Sequence, residues 1–313
     1  MTGTRTRHLR EVAAPAQVLF GLVADVTWWP VIFEPTVHVD VLERTPDGER
    51  FRLWATVGGA VRTWTSRRRL DREALTITFE QERTQAPIAQ MSGAWHFHPR
   101  PGGATVVLDH DFAAVDDAAA EDLAGAVDAN SERELAALAR VAELGHPVED
   151  LVFAFEDEVR LRGPAPAAYD FVHRADLWPD RLPHVARVEL SEDDERVQDL
   201  LMDTVTRDGG SHRTRSVRLC LPPDRIVYKQ LRTPEVLIGH SGSWTFRQDG
   251  EDAVIVARHL VALDPAKITQ ALGEGHDVAS ARRHVREALG ENSRTTMSHA
   301  ALHAIRRLAS ATE

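Results

Sequence analysis

SGAWHF at residues 92–97 returns as SGSWTF at 241–246, an offset of 149 residues. The same offset joins Pro15 to Pro164, Val23 to Val172, Trp29-Pro30 to Trp178-Pro179, Arg69-Leu70 to Arg218-Leu219, Arg83-Thr84 to Arg232-Thr233 and His110 to His259. Matches strung over about a hundred residues at one ungapped offset define an internal duplication. Solenoid repeats run roughly 20–50 residues, so a period this long reads as two homologous domains. Near the end of each copy, Asn130-Ser131 answers to Asn292-Ser293 at an offset of 162. The second copy therefore carries 13 extra residues, expected in the EGHDVASA region. The break falls in GHPVED (145–150), where a helical pattern meets a short Gly/Pro/acidic run, which predicts domains over 1–147 and 148–313.

Each copy repeats one order of elements. After Pro15 the apolar residues of AQVLFGLVADV recur at helical spacing, and Trp29-Pro30 is expected to end that helix. Strands are predicted in TVHVDVLE, ERFRLWATV, VRTWTSRRRL, ALTITFEQ, MSGAWHFHP and ATVVLDHDF, with PDG and RPGG as turn signals. Leu123, Val127, Leu135, Leu138 and Val141 form the apolar stripe of a long closing helix. The class is α+β: a curved antiparallel sheet wrapped around a long C-terminal helix. That geometry leaves an apolar cavity between the two, a natural small-molecule site.

Composition narrows the function. A net charge of −11 argues against general affinity for nucleic-acid backbones, which needs a basic surface. Cys220 is the single cysteine, so no intramolecular disulfide forms and a reducing, cytoplasmic setting is expected. MTGTRTRHLREV lacks the apolar run of a signal peptide, and no stretch approaches a membrane span.

Against that acidic background, RTWTSRRRL (62–70) packs four arginines into nine residues. Strand alternation splits it. Arg62, Trp64, Ser66 and Arg68 share one face; Val61, Thr63, Thr65, Arg67 and Arg69 share the other. The first set reads either as a solvated face with a half-covered Trp or as a pocket wall with fixed donors. At the offset of 149 its counterparts are Ser211, Arg213, Arg215 and Val217. On that alignment Trp64, Ser66 and Arg68 are not needed merely to build the domain.

Trp-x-Ser-x-Arg on this strand, Trp29-Pro30 after the first helix, His110-Asp111-Phe112 and Asn130-Ser131 together resemble the aromatase/cyclases of bacterial type II polyketide synthases. The tandem arrangement is similar to their di-domain subgroup, and the likeness spans nearly the whole chain. It implies a START-like helix-grip fold in each half. It implies an enzyme that closes the first ring, between C7 and C12, of a ketoreduced poly-β-ketone, by aldol condensation and then dehydration to an aromatic ring. The partners implied are an acyl carrier protein bearing the chain and the minimal synthase and ketoreductase of the pathway. The protein would be a monomer whose internal repeats mimic a dimer.

Such chemistry polarises a ketone, deprotonates a methylene between two carbonyls and expels a hydroxyl; it requires no nucleotide, flavin or metal. Arg68 suits a fixed cation for enolate or alkoxide charge, and Ser66 suits a proton relay. Trp29, Phe33, Trp64 and Trp95 are expected to wall the chain, a proximity effect. Thr36 occupies the position where some relatives carry tyrosine; Glu34 and His38, on its alternating face, are the substitutes expected for acid–base work. Asn130 falls among apolar positions of the closing helix, and Gln81, Gln90 and His110 are further pocket candidates. His96, His98 and His110 have the residue types of a three-ligand zinc site. Thr245 in place of His96, and the PRPGG turn beside His98, favour ordinary histidines instead. Catalysis is expected within residues 1–145, with the second domain as support. The rival reading is a non-catalytic carrier of a hydrophobic small molecule, which needs no charged set in its cavity.

Overall fold

A computed structural model describes residues 3–57, 59–193, 196–205 and 210–310 and divides the chain into Met1–Val148 and Glu149–Glu313. The first unit runs β1 (Thr4–Val12), α1 (Ala16–Ala24), α2 (Trp29–Ile32), β2 (Thr36–Thr45), β3 (Gly48–Val57), β4 (Ala60–Asp71), β5 (Thr76–Arg83), β6 (Ile88–Arg100), β7 (Gly103–Ala114) and α3 (Ala120–Ala142). Its strands form one antiparallel sheet in the order β1-β7-β6-β5-β4-β3-β2. This is a meander closed by β1 returning against β7.

Alternation sets the faces. In β7, Ala104, Val106, Leu108 and Phe112 are buried, while Asp109 and Asp111 turn outward to Arg7 at 2.7 Å and Arg5 at 2.8 Å on β1. Helix α1 starts after Pro15 and buries Leu19, Leu22 and Val23. It stops at Asp25, whose carboxylate accepts from the Thr27 backbone N–H (3.0 Å) and hydroxyl (2.6 Å). Trp29-Pro30 then opens α2 rather than only ending α1, because proline is pre-set for a first helical turn that needs no N–H from it. Leu123, Val127, Ser131, Leu135 and Leu138 make the buried face of α3, with the Ser131 hydroxyl donating to the Val127 carbonyl at 2.8 Å.

The repeated Ser-Gly-x-Trp now has a physical cause. Gly93 on β6 stands opposite Phe79 on β5, and a Cβ there would lie 2.5 Å from the Phe79 ring and 2.2 Å from the Asp109 carbonyl. Gly242 repeats the arrangement, 2.5 Å from the Tyr228 hydroxyl and 2.4 Å from the Arg258 carbonyl. Trp95 and Trp244 each follow two residues later on the same face and are buried. Gly93→Ala is expected to cost roughly 1–3 kcal/mol by overpacking, read as a lowered urea midpoint. Wild-type stability in that variant would refute the close-approach account.

The second unit repeats the plan: β8 (Val152–Arg162) follows the short α4 (Val148–Leu151). Then come α5 (Ala165–His173), α6 (Trp178–Arg181), β9 (Val185–Glu192), β10 (Val197–Val205), β11 (Ser211–Leu221), β12 (Arg225–Arg232), β13 (Leu237–Asp249), β14 (Asp252–Leu263), α7 (Ile268–Leu272) and α8 (Val278–Ser310). Sheet order is β8-β14-β13-β12-β11-β10-β9. The 3-10 turn at Pro265–Lys267 answers to one at Asp117–Ala119, so the extra residues comprise α7 and the EGHDVASA stretch that follows it. Asp277, inside that segment, accepts from the Ser280 N–H (2.8 Å) at the start of α8.

One sequence expectation is overturned by register. The β4–β5 and β11–β12 pairs each carry a bulge, opposite Thr65/Ser66 and Arg215/Ser216, with Glu82 on β5 and Leu231 on β12 as the extra residues. Ser66 pairs with Gln81 as Ser216 does with Gln230; Arg68 pairs with Phe79 as Arg218 does with Tyr228. Leu70 pairs with Ile77 where Cys220 pairs with Ile226, so the β4–β5 turn is one residue longer than its counterpart. The counterpart of Arg68 is therefore Arg218, not Val217, and that of Ser66 is Ser216, not Arg215. The match of Arg69-Leu70 to Arg218-Leu219 was a coincidence of the ungapped offset. Among the described residues, no helix is long and apolar enough to cross a membrane.

Candidate active site

A cavity of about 200 Å³ lies in the first domain between the inner face of the sheet and α3. Trp29, Phe33, Phe51, Trp64, Phe79 and Trp95 wall it. Phe33 meets Trp29 edge to face, with ring centroids 5.4 Å apart, and stacks toward Trp95 at 6.5 Å. Polar groups enter from four elements: Ser66 and Arg68 on β4, Gln81 on β5, His110 on β7, and Asn130 and Glu134 on α3. The expected wall and the expected Ser66, Arg68, Gln81, His110 and Asn130 are thus brought to one space.

Arg68 is buried and engaged. Its Nε donates to Glu49 Oε1 at 2.6 Å, Nη1 to the Val23 carbonyl at 2.7 Å, and Nη2 to the Ala24 carbonyl. Glu49 faces it across the β3–β4 pair, and the guanidinium lies 5.4 Å from the Trp29 ring centre and 5.6 Å from that of Phe51. Burial pulls its pKa down to about 10, opposed by Glu49, so it is charged at neutral pH. The guanidinium satisfies the C-terminal carbonyls of α1 at Val23 and Ala24, and Glu49, accepting from it, holds it there. Arg218 does the same work in the second domain: Nη1 to Gln198 Oε1 at 2.7 Å, Nη2 to the Val172 carbonyl at 2.6 Å, over Trp178 at 5.1 Å. The arrangement recurs in both copies, with the neutral Gln198 where the first has Glu49 and the Val172 carbonyl where it has that of Val23.

The remaining candidates separate. His110 meets Phe79 edge to face at 5.5 Å, and its Nδ1 lies 3.4 Å from Ser131 Oγ. Because that hydroxyl already donates to Val127, it accepts from Nδ1–H, which leaves the Nε2 lone pair free. Burial lowers the His110 pKa to about 4, so the ring is neutral. Glu34, Thr36 and His38 are not in the cavity lining. Glu34 is exposed in the turn before β2, Thr36 is buried, and a register shift between Thr36 and His38 breaks the alternation that would have aligned them. His38 instead bonds Asp40 at 2.9 Å and packs on Trp54 at 5.5 Å. Gln90 is exposed and also outside the lining, and Arg67 pairs with Glu82 at 2.9 Å on the outer face. His96 and His98 stack on each other at 5.9 Å, with His96 3.6 Å from Asp109.

Glu134 was not foreseen. It lies one turn beyond Asn130 on the cavity side of α3, and among the described residues no cation pairs with its carboxyl. Burial raises its pKa to about 7, with the neighbouring Arg133 opposing weakly. The signal available in the sequence was its i+4 spacing from Asn130 and i+7 from Val127.

The second domain has a cavity of about 120 Å³. Trp178, Ser216, Arg218, Gln230, Trp244 and Asn292 line it at places equivalent to Trp29, Ser66, Arg68, Gln81, Trp95 and Asn130. The two cavities differ where Phe79, Met91 and Glu134 are replaced by Tyr228, His240 and Thr296.

Each half is thus a helix-grip domain that closes a small-molecule cavity, aromatic on its walls and tipped with proton-carrying groups. A sequence profile of the family described as polyketide cyclase/dehydrase and lipid transport matches residues 12–137 and 161–272, and the chain belongs to that family. It is 55% identical over 307 residues to the actinorhodin polyketide synthase bifunctional cyclase/dehydratase of Streptomyces coelicolor, covering 95% of this chain and 96% of that protein. It is 49% identical over 301 residues to the granaticin polyketide synthase bifunctional cyclase/dehydratase of Streptomyces violaceoruber, covering 95% and 93%. Among solved structures, the di-domain ARO/CYC BexL superposes with a TM-score of 0.80 at 45% identity, covering 97% of this chain and 99% of that one. The di-domain ARO/CYC StfQ from the steffimycin pathway also gives 0.80, at 35% identity.

Proposed function

We propose that the chain is a polyketide cyclase/dehydratase that closes the first ring, between C7 and C12, of a ketoreduced poly-β-ketone held by an acyl carrier protein. The reading is supported by relatives named as bifunctional cyclase/dehydratases along the whole chain. The observation that carries it is an uncompensated carboxyl, Glu134, in an otherwise aromatic cavity. A carrier of hydrophobic ligands gains nothing from a desolvated acid, whereas an aldol cyclase needs a base that is half ionised near neutrality.

In this mechanism the aromatic walls bend the chain so that a methylene flanked by two carbonyls meets a distant ketone. Glu134 takes the methylene proton. The enolate oxygen and the acceptor ketone are held by donors from Ser66, Gln81 and Asn130, and the alkoxide left by carbon–carbon bond formation takes a proton. His110, neutral, is the second proton carrier. Arg68 holds Trp29 and β4 in place, its charge largely offset by Glu49. These groups need no cofactor.

The test is reconstitution of the purified chain with a minimal synthase and ketoreductase of this synthase type. The expected outcome is a shift from mixed, spontaneously cyclised products to one C7–C12 aromatic product. A product profile identical with and without the chain would leave only the carrier reading standing.

A further inference from the structure

The ground for confining chemistry to the first domain was the missing Ser-x-Arg, and Ser216 and Arg218 supply it. What distinguishes the second cavity is a connected set of proton carriers. Tyr228 Oη lies 3.0 Å from His259 Nδ1 and 3.4 Å from His240 Nε2, and the two imidazole nitrogens are 3.0 Å apart. His259 Nε2 lies 2.7 Å from Ser293 Oγ. All four residues line the cavity. His240 is 2% exposed, and its Nδ1 has no hydrogen-bond partner. A buried nitrogen without a partner is costly in a structural network, so its retention points to a ligand. Phe79 and Met91 at the equivalent places show that the fold does not need these groups.

From this geometry we infer that the second domain holds its own acid–base site, which dehydrates a cyclic β-hydroxyketone through His240 and Tyr228. In this step His259 is assigned the tautomer that donates from Nε2 to Ser293 and accepts at Nδ1. His240 then carries its proton on Nε2, and its Nδ1 lone pair is left without a partner beside the cavity that the residue lines. That nitrogen takes the proton α to the ketone; the C–H electrons form the new C=C bond, and the β C–O bond breaks. The departing oxygen takes the Tyr228 hydroxyl proton and leaves as water, and His240 Nε2–H restores Tyr228. One proton enters at Nδ1 and one leaves from Nε2, so no charge accumulates; exchange with water resets the tautomer. Burial keeps both imidazoles neutral, as the step requires: His259 falls to about 3 and His240 well below its ordinary value, each also lowered by a neighbouring cationic or imidazole group.

The inference rests on the proposed function for its substrate class, and its test is separable from it. β-Hydroxytetralone, a bicyclic β-hydroxyketone whose dehydration gives fluorescent naphthol, is supplied to the full chain without any synthase. The variant Tyr228→Phe/His240→Met installs the residues of the first domain, so folding is expected to persist, checked by thermal melting. The expected result is naphthol formation by wild type and by Glu134→Gln, with at least about a hundredfold loss in the double variant, the low end for removing acid–base groups. In the reconstituted system the double variant should release a ring one water heavier, and added Glu134→Gln protein should complete it in trans. Naphthol formation at wild-type rate in the double variant, or none above buffer in wild type, overturns the second site. Loss of ring closure in the double variant, with no rescue in trans, also overturns it while leaving the cyclase reading intact.

Discussion

Arg68→Ala will lower the stability of the first domain by about 3–5 kcal/mol, the range for removing one member of a buried ion pair. The substitution strands Glu49, whose side chain is 4% exposed, and two carbonyls at the end of α1. Arg44, which reaches Glu49 at 3.0 Å but is half exposed, offsets part of this and favours the lower end. Arg218→Ala should cost less, because it strands the neutral Gln198 instead of a carboxylate. Urea denaturation of both variants and of Glu49→Gln reads the difference, and the Arg68–Glu49 pair should show coupling in a double-mutant cycle. Were Arg68→Ala as stable as wild type yet inactive, the sequence expectation of a free catalytic cation would be restored and the structural role lost.

That contrast shows where sequence reasoning reached and where it stopped. The duplication, the strands, the closing helix and the aromatic wall all follow from local periodicity and from one repeated offset. What an ungapped offset does not show is a one-residue change in a turn. The longer β4–β5 turn moved the true counterpart of Arg68 from Val217 to Arg218, and with it the argument for an idle second domain. The bulge at Thr36/His38 had the same kind of effect, because alternation assigns faces only while the ladder is regular; β4 is regular, and Arg62, Trp64, Ser66 and Arg68 all line the cavity as alternation predicts. His38 and Glu34 were chosen by residue type and an assumed face; the face does not hold, since Glu34 lies in the turn before β2 and the register shifts between Thr36 and His38. Glu134 was passed over for the opposite reason. An acid on a helix with charged neighbours reads as solvent-facing, and only its partners in space, Asn130 and Val127 one and two turns back, show otherwise. The polar set of the second domain was equally illegible, since Tyr228, His240 and Ser293 come from three separated elements joined only by folding.

Glu134→Gln will reduce ring closure by about 10²–10⁴-fold, the range for a general acid–base group, and will stabilise the domain above neutral pH. Both effects come from one displaced equilibrium. Burial raises the carboxyl from an ordinary 4.5 to about 7, so the fold favours the protonated form. The unfolded chain ionises first as pH rises. The stability contributed by the neutral carboxyl is therefore full below the ordinary carboxylate range, declines between about 4.5 and 7, and is lost above 7. Glutamine, neutral at every pH, avoids that loss: the variant should match wild type in melting temperature near pH 4 and exceed it at pH 8. Activity takes the reverse course, because the base is the ionised form; wild-type turnover should rise through about pH 7, and the variant should lack that limb. Ring-closure rates and melting curves across pH 4–9 measure the two together. A residue held only for structure would not gain stability while losing turnover, so a variant that is less stable at pH 8, or as active as wild type, removes Glu134 from the mechanism. Stability surrendered for a poised proton carrier is what an active site costs its fold, and the sign of this one substitution decides whether the first cavity is such a site.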